Sequence, residues 1–220
     1  MASGKRKMNR RTAIAEVART AGAVCLGGLS LAALVRSADQ ADARALRPPG
    51  AQPEPDFLSA CVRCGLCVQA CPYGTLSLAE WGQEPAVGTP FFTPREVPCY
   101  MCRDVPCARA CPTGALDRDI AISDADMGAA VLVGHEDCLN YKGMNCSICV
   151  RVCPIRGDAI TLEEGEFNGR KIMVPTVHSA HCTGCGTCEK HCVTGHASIR
   201  VLPRDLGLGG DGRNRAGRAT

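Results

Sequence analysis

Aromatic side chains are nearly missing. One Trp, three Tyr and four Phe are spread over 220 residues, too few for large rings to fill a deep core. No nucleophile–base constellation, phosphate-binding glycine loop or flavin fingerprint stands in the chain, so no catalytic residue can be named. A charge of one sign is missing too. Residues 1–43 carry seven Lys/Arg against three acids, and the rest is nearly balanced, eighteen basic to nineteen acidic. That balance excludes a nucleic-acid footprint. Length is also lacking in the apolar run at residues 21–35. A helix of that size rises about 22 Å, short of the roughly 30 Å hydrocarbon core of a bilayer.

Cysteine is abundant. There are seventeen, in the range where cysteine chemistry stands in for core. Sixteen fall into four groups of four. The first is Cys61, Cys64, Cys67 and Cys71 followed by Pro72, a C-x2-C-x2-C-x3-C-P run. That run holds a [4Fe–4S] cluster in bacterial ferredoxins, where the fourth cysteine ligates the neighbouring cluster. Three thiolates two residues apart let one tight loop wrap three corners of a cubane. Cys67 and Cys71 stand about one helical turn apart. The second group is Cys99, Cys102, Cys107 and Cys111, with four residues in its middle gap. The third is Cys138, Cys146, Cys149 and Cys153, with seven residues in its first gap. The fourth is Cys182, Cys185, Cys188 and Cys192, spaced like the first but followed by Val193 instead of proline. Only Cys25 is left over.

Three chemistries compete for these thiols. A disulfide framework would suit an exported chain, but neighbouring C-x2-C thiols four times over do not form one. Structural zinc takes knuckles two and two; here the natural unit is three plus one. Iron–sulfur clusters remain: four [4Fe–4S] groups held by the sixteen cysteines. His181 and His191 adjoin cysteines and are candidates to hydrogen-bond cluster sulfurs. His135, His178 and His196 read as polar surface or turn residues, and Tyr73, Tyr100 and Tyr141 as packing.

Along the chain, residues 1–43 read as an export signal of twin-arginine type. They have a basic start with Arg10-Arg11, a weak apolar stretch, and Ala41-Asp42-Ala43 as a small-x-small cleavage site. Thr12-Ala13-Ile14 follows the arginine pair where phenylalanine-leucine is usual. The alternative is an uncleaved membrane anchor. The twin-arginine route carries folded proteins, so clusters built in the cytoplasm would cross intact, whereas sixteen free thiols in an oxidising compartment would form disulfides. Residues 44–56 read as an extended Pro-rich linker whose prolines forbid helix. Residues 57–203 form the cluster domain. Within it, short strands are expected at 74–78, 129–133 and 197–201, and a hairpin turns at Asn168-Gly169 between Thr161-Leu162 and residues 171–174. The loop at 79–98, with Trp81, Phe91 and Phe92, is either a hairpin covering a cluster or a docking surface. Residues 204–220, rich in Gly and Arg, read as a disordered tail. The quartets recur about every forty residues, which implies an α+β fold of tandem bacterial-ferredoxin-like modules, four half-repeats in all.

The chain resembles the ferredoxin-type NapG/MauM family. The resemblance is carried by the arginine pair, by Leu46-Arg47-Pro48-Pro49-Gly50-Ala51, by Pro175-Thr176-Val177-His178-Ser179, and by residues 60–73, 98–116, 127–138 and 175–192. It implies a periplasmic electron-transfer protein, peripherally associated with the inner membrane. Such a protein would take electrons from a polytopic membrane partner that oxidises quinol. It would pass them to a multihaem cytochrome and periplasmic nitrate reductase. The MauM branch of the family serves methylamine oxidation instead. A cluster-bearing maturation or accessory protein is the other class of function.

The division of the thiolates is open to two schemes. Quartets one and four share compact spacing, and two and three carry expanded loops. Matching loops, and the resemblance to four-cluster subunits of related oxidoreductases, point to nested modules, one with four and two with three. Cys61, Cys64 and Cys67 would then join Cys192; Cys182, Cys185 and Cys188 join Cys71; Cys99, Cys102 and Cys107 join Cys153; and Cys138, Cys146 and Cys149 join Cys111. The other scheme pairs one with two and three with four.

Overall fold

The computed structural model describes residues 45–83 and 85–207. Residues 1–44, where the sequence suggests an export signal and where Cys25 lies, and the end of the chain lie outside these residues.

The chain folds as two copies of one plan. In each, a strand precedes the first quartet, a hairpin joins the two quartets, and a strand after the second quartet returns to pair with the opening one. In the first copy the outer pair is a single antiparallel bridge, Ala51 to Leu116, flanked by Gln52 N–H donating to Ala115 (3.1 Å) and Asp117 N–H to Gly50 (2.7 Å). Its hairpin is β1 (Ser77–Leu78) with β2 (Pro90–Phe91). In the second copy β3 (Ala129–Leu132) pairs antiparallel with β6 (Ile199–Leu202). Its hairpin is β4 (Ile160–Phe167) with β5 (Arg170–Val177), turning at Asn168 and Gly169, both at positive φ. A short turn of 3-10 helix at Ile122–Asp124 lies between the copies.

The helices are short and hold cysteines. After α1 (Glu54–Ala60) come α2 (Leu66–Ala70), α3 (Pro106–Arg109), α4 (Ile148–Arg151), α5 (Thr187–Lys190) and α6 (Arg204–Gly207). Each of α2 to α5 contains the third cysteine of a quartet, and its fourth follows just beyond the helix. The core is thin, as the scarce aromatics imply. Phe57, Leu116 and Ile199 are its largest fully buried apolar side chains, and Phe92 joins them. Burying a ring such as Phe57 stabilises the fold by about 3 kcal/mol.

The structure revises the expected boundaries. Residues 45–56 pack into the fold, where the sequence suggests an extended linker over 44–56. Leu46 and Arg47 are buried, and Ala51 pairs with Leu116. Helix α1 begins inside this stretch. Pro55 stands in its first turn, where a missing N–H breaks no helical bond, and Glu54 and Asp56 face the positive end of the helix dipole. The expected tail is helical at its start, where Arg204 binds Asp126 and the carbonyls of Ser179 (2.8 Å) and Cys182 (2.6 Å). In the 79–98 loop, Phe92 is core and β2 closes a hairpin, whereas Trp81 is 91% exposed.

Candidate metal centres

The sixteen cysteines line four cavities of similar size. Site I, about 350 Å3, is lined by Cys61, Cys64, Cys67 and Cys111, with Phe57 and Leu116 in its wall. Site II, about 410 Å3, is lined by Cys71, Cys99, Cys102 and Cys107, with Tyr73, Phe92 and Tyr100. Site III, about 390 Å3, is lined by Cys153, Cys182, Cys185 and Cys188, with Ala130, Ile160 and Val201. Site IV, about 390 Å3, is lined by Cys138, Cys146, Cys149 and Cys192, with Leu132, Ile148 and Ile199.

The nested division is therefore overturned. Cys71 lies with Cys99, Cys102 and Cys107, and Cys192 with Cys138, Cys146 and Cys149. Quartet one exchanges its fourth cysteine with quartet two, and quartet three with quartet four. The cause is topological. The bridge at Ala51 and Leu116 and the β1–β2 hairpin fold the second quartet back onto the first, and β3–β6 with β4–β5 do the same for the other two. Loop spacing reports only how each loop wraps its own three cysteines.

Each loop reaches the same outcome by its own backbone device. Two residues before the third cysteine, Gly65 and Gly186 take left-handed φ of 75° and 82°, which glycine adopts without strain. In the expanded second quartet Val105 occupies that place at φ 39°, a strained conformation for a β-branched residue. The third quartet does without it: Ser147 has φ −131°. There the long loop is braced by buried Asn140. Its Nδ2 donates to the Cys146 carbonyl (2.8 Å), and its Oδ1 accepts from the Cys146 N–H (2.7 Å).

All sixteen cysteines are free thiols. Burial raises several of them: Cys67 and Cys149 to about 11, Cys99 and Cys107 to about 12, and Cys188 well above its ordinary value. Neighbouring thiolates of the same site push further, Cys61 and Cys64 on Cys67, Cys138 and Cys146 on Cys149. Three of the four crossing cysteines go the other way. Burial also opposes ionisation of Cys71, Cys111 and Cys192, but N–H and hydroxyl donors outweigh it. Thr75 N–H donates to the Cys71 sulfur (3.4 Å), and Thr113 and Thr194 hydroxyls touch the sulfurs of Cys111 (3.8 Å) and Cys192 (3.0 Å). Cys153, followed by Pro154-Ile155, has no such threonine and stays raised by burial.

The donor set fits a [4Fe–4S] group: four thiolates per cavity, apolar walls, and N–H and O–H donors aimed at sulfur. Among the described residues no group of three or more His, Cys, Asp or Glu closes on a single ion. The ring of His191 bonds the Thr187 carbonyl (2.9 Å) and not a sulfur. His178 ties the hairpin through Thr161 (2.8 Å). Tyr73 packs at a tilt on Tyr100 (4.4 Å), and Tyr141 meets Phe167 edge-on (4.9 Å).

Two residues unforeseen from sequence hold the sites together. Asn140 is one. The other is Arg47, 6% exposed, which binds the Glu54 carboxylate through Nε (3.0 and 3.2 Å), Thr89 Oγ1 (2.9 Å) and the Pro90 carbonyl (2.9 Å), with its guanidinium over the Phe57 ring. A readable signal for the threonines was present, since one follows Cys71, Cys111 and Cys192 within four residues.

A 4Fe-4S dicluster domain family matches residues 60–115 and 142–196, one match for each of the two observed pairs of quartets. Relatives match nearly end to end. The chain is 78% identical to the methylamine utilization ferredoxin-type protein MauM of Paracoccus denitrificans (strain Pd 1222), over 98% of this chain and 97% of that one. It is 69% identical to MauM of Methylorubrum extorquens, over 96% of each. It is 50% identical to the ferredoxin-type protein NapG of Escherichia coli (strain K12), over 94% and 91%. Cysteine geometry, domain family and full-length relatives agree: the chain belongs to the MauM and NapG family of ferredoxin-type, iron–sulfur electron-transfer proteins.

Proposed function

We propose that the protein is a periplasmic relay in which sites I to IV each hold one [4Fe–4S] cluster, carrying electrons from a membrane partner that oxidises quinol toward a multihaem cytochrome. One observation carries the reading: four cavities, each lined by four free cysteines. When bound, each cluster supplies a one-electron couple. The chain's own residues do the rest. Thiols raised by burial release their protons as metal arrives, so loading couples to folding. Phe57, Leu116, Ile160 and Ile199 line the cavities and exclude water. Threonine and backbone donors to sulfur tune the potentials. Among the described residues no helix is long and apolar enough to cross a membrane, which suits a partner supplying the membrane span.

Two settings are open to such a relay. Names of relatives at 78% and 69% identity refer to methylamine utilization, whereas NapG stands at 50%. The higher identities favour methylamine oxidation, with nitrate reduction as the second reading. Anaerobic membranes containing the protein, its quinol-oxidising partner and cytochrome test the relay. On adding a quinol analogue, the iron–sulfur EPR signals should rise and fall with turnover. Clusters that stay in one redox state throughout would point to a maturation or accessory role. A deletion strain that loses growth on methylamine but keeps periplasmic nitrate reduction would assign the setting, and the reverse phenotype would assign it to nitrate.

A further inference from the structure

The four sites follow one another in a line that differs from chain order. Sites I and II share two short spans, Cys67 to Cys71 and Cys107 to Cys111. Sites III and IV share Cys149 to Cys153 and Cys188 to Cys192. The two pairs meet where Cys99 N–H of site II donates to the carbonyl of Cys185 of site III (2.8 Å). The order is thus I, II, III, IV, which runs through quartets one, two, four and three.

That junction is built by residues 93–101 of the first module. Pro94 packs so closely on Gly186 that a methyl group there would fall 2.4 Å from the Pro94 side chain. Thr183 Oγ1 donates to the Met101 sulfur (3.2 Å), and Met127 N–H to the Thr183 carbonyl (3.0 Å). The principal fastening is Arg95. Its Nη1 donates to the carbonyls of Glu189 (2.7 Å), Cys192 (2.8 Å) and Lys190 (3.3 Å), and its Nη2 to that of Thr194 (2.9 Å). These are carbonyls at and just past the C-terminal end of α5, where a cation is favoured. Lys190 returns a bond to the Glu96 carbonyl (2.6 Å). One guanidinium therefore ties the segment entering Cys99 to the segment carrying Cys188 and Cys192.

We infer that Arg95 is a positioning residue for the electron step between sites II and III, an inference that rests on the cluster reading above. The step is one electron lost by the iron–sulfur group at site II and gained by the one at site III, or the reverse, with no bond made and no proton moved. Its rate falls steeply with the gap between the groups. Arg95 makes four of the seven hydrogen bonds that join the described residues of the two modules, so that gap depends on the Arg95 fastening.

The test uses the full chain, purified anaerobically with its iron. Arg95→Ala should keep its iron and the spin–spin interaction between sites I and II. The interaction across the junction should weaken, and redistribution of electrons between modules after flash photoreduction should slow several-fold. Arg95→Lys should restore part of the rate, since a point charge reaches one or two carbonyls but cannot fork across four. Full iron with unchanged junction coupling and unchanged rate would overturn the inference. If Arg95→Ala sheds iron, Lys190→Ala, which removes only the neighbouring strap, decides. A weaker junction coupling at full iron supports a positioning role, and an unchanged one refutes it. A wild-type protein with fewer than four clusters would instead refute the underlying reading, so the two failures are distinguishable.

Discussion

Asn140 and Cys146 exchange two hydrogen bonds, side-chain amide to backbone carbonyl at 2.8 Å and backbone N–H to side-chain oxygen at 2.7 Å. Asn140 is 4% exposed, so water cannot replace it. Removing it leaves the Cys146 N–H and carbonyl without partners, at about 1–3 kcal/mol. Asn140→Ala should therefore empty site IV and spare sites I and II. Iron content should drop by one cluster's worth, and the loss of one EPR component checks which site is gone.

Cys111 closes site I beside Cys61, Cys64 and Cys67. Cys111→Ser should alter the same spectroscopic component as Cys64→Ser and leave the component sensitive to Cys146→Ser unchanged. Shared effects between Cys111→Ser and Cys146→Ser would restore the nested division.

Arg47 is the buried brace of the first module, gripping Glu54, Thr89 and Pro90 with its guanidinium over the Phe57 ring. Arg47→Ala takes the cation from the partly exposed Glu54 carboxylate and leaves Thr89 only its bond to the Ala86 carbonyl, a loss of about 1–3 kcal/mol. The midpoint for thermal bleaching of the clusters should fall, with site I, whose wall contains Phe57, bleaching first. Arg47→Lys should rescue little, because a point charge cannot fill a forked site.

Arg10-Arg11 lies outside the described residues, and its role is argued from sequence. Arg10→Lys with Arg11→Lys should leave the precursor in the cytoplasm with its clusters intact. Fractionation with iron analysis of each compartment checks this; full export of the double variant would contradict the twin-arginine route.

Much of the fold was legible in the chain. Asn168-Gly169 announced the hairpin, and the cysteine spacing announced all four loops, because local turns are written in local residues. Partnership between quartets was not legible. It depends on Ala51 finding Leu116 and on β3 finding β6, pairings between distant segments that no spacing encodes. Pro53 and Pro55 misled in the same way. Four prolines in eight residues suggest an extended linker, yet a proline in the first turn of α1 costs nothing. Val105 and Asn140 hid for another reason. Each absorbs a loop insertion by a conformation or a side-chain bond that becomes visible only when the loop is closed.

The central claim, that four cysteine-lined cavities make a four-centre relay, is tested most directly by iron and acid-labile sulfide per chain in the anaerobically purified protein. Four [4Fe–4S] groups on sixteen cysteines predict about sixteen of each per chain. A reproducible value near eight of each, with half the cysteines open to thiol reagents in the folded protein, would contradict it.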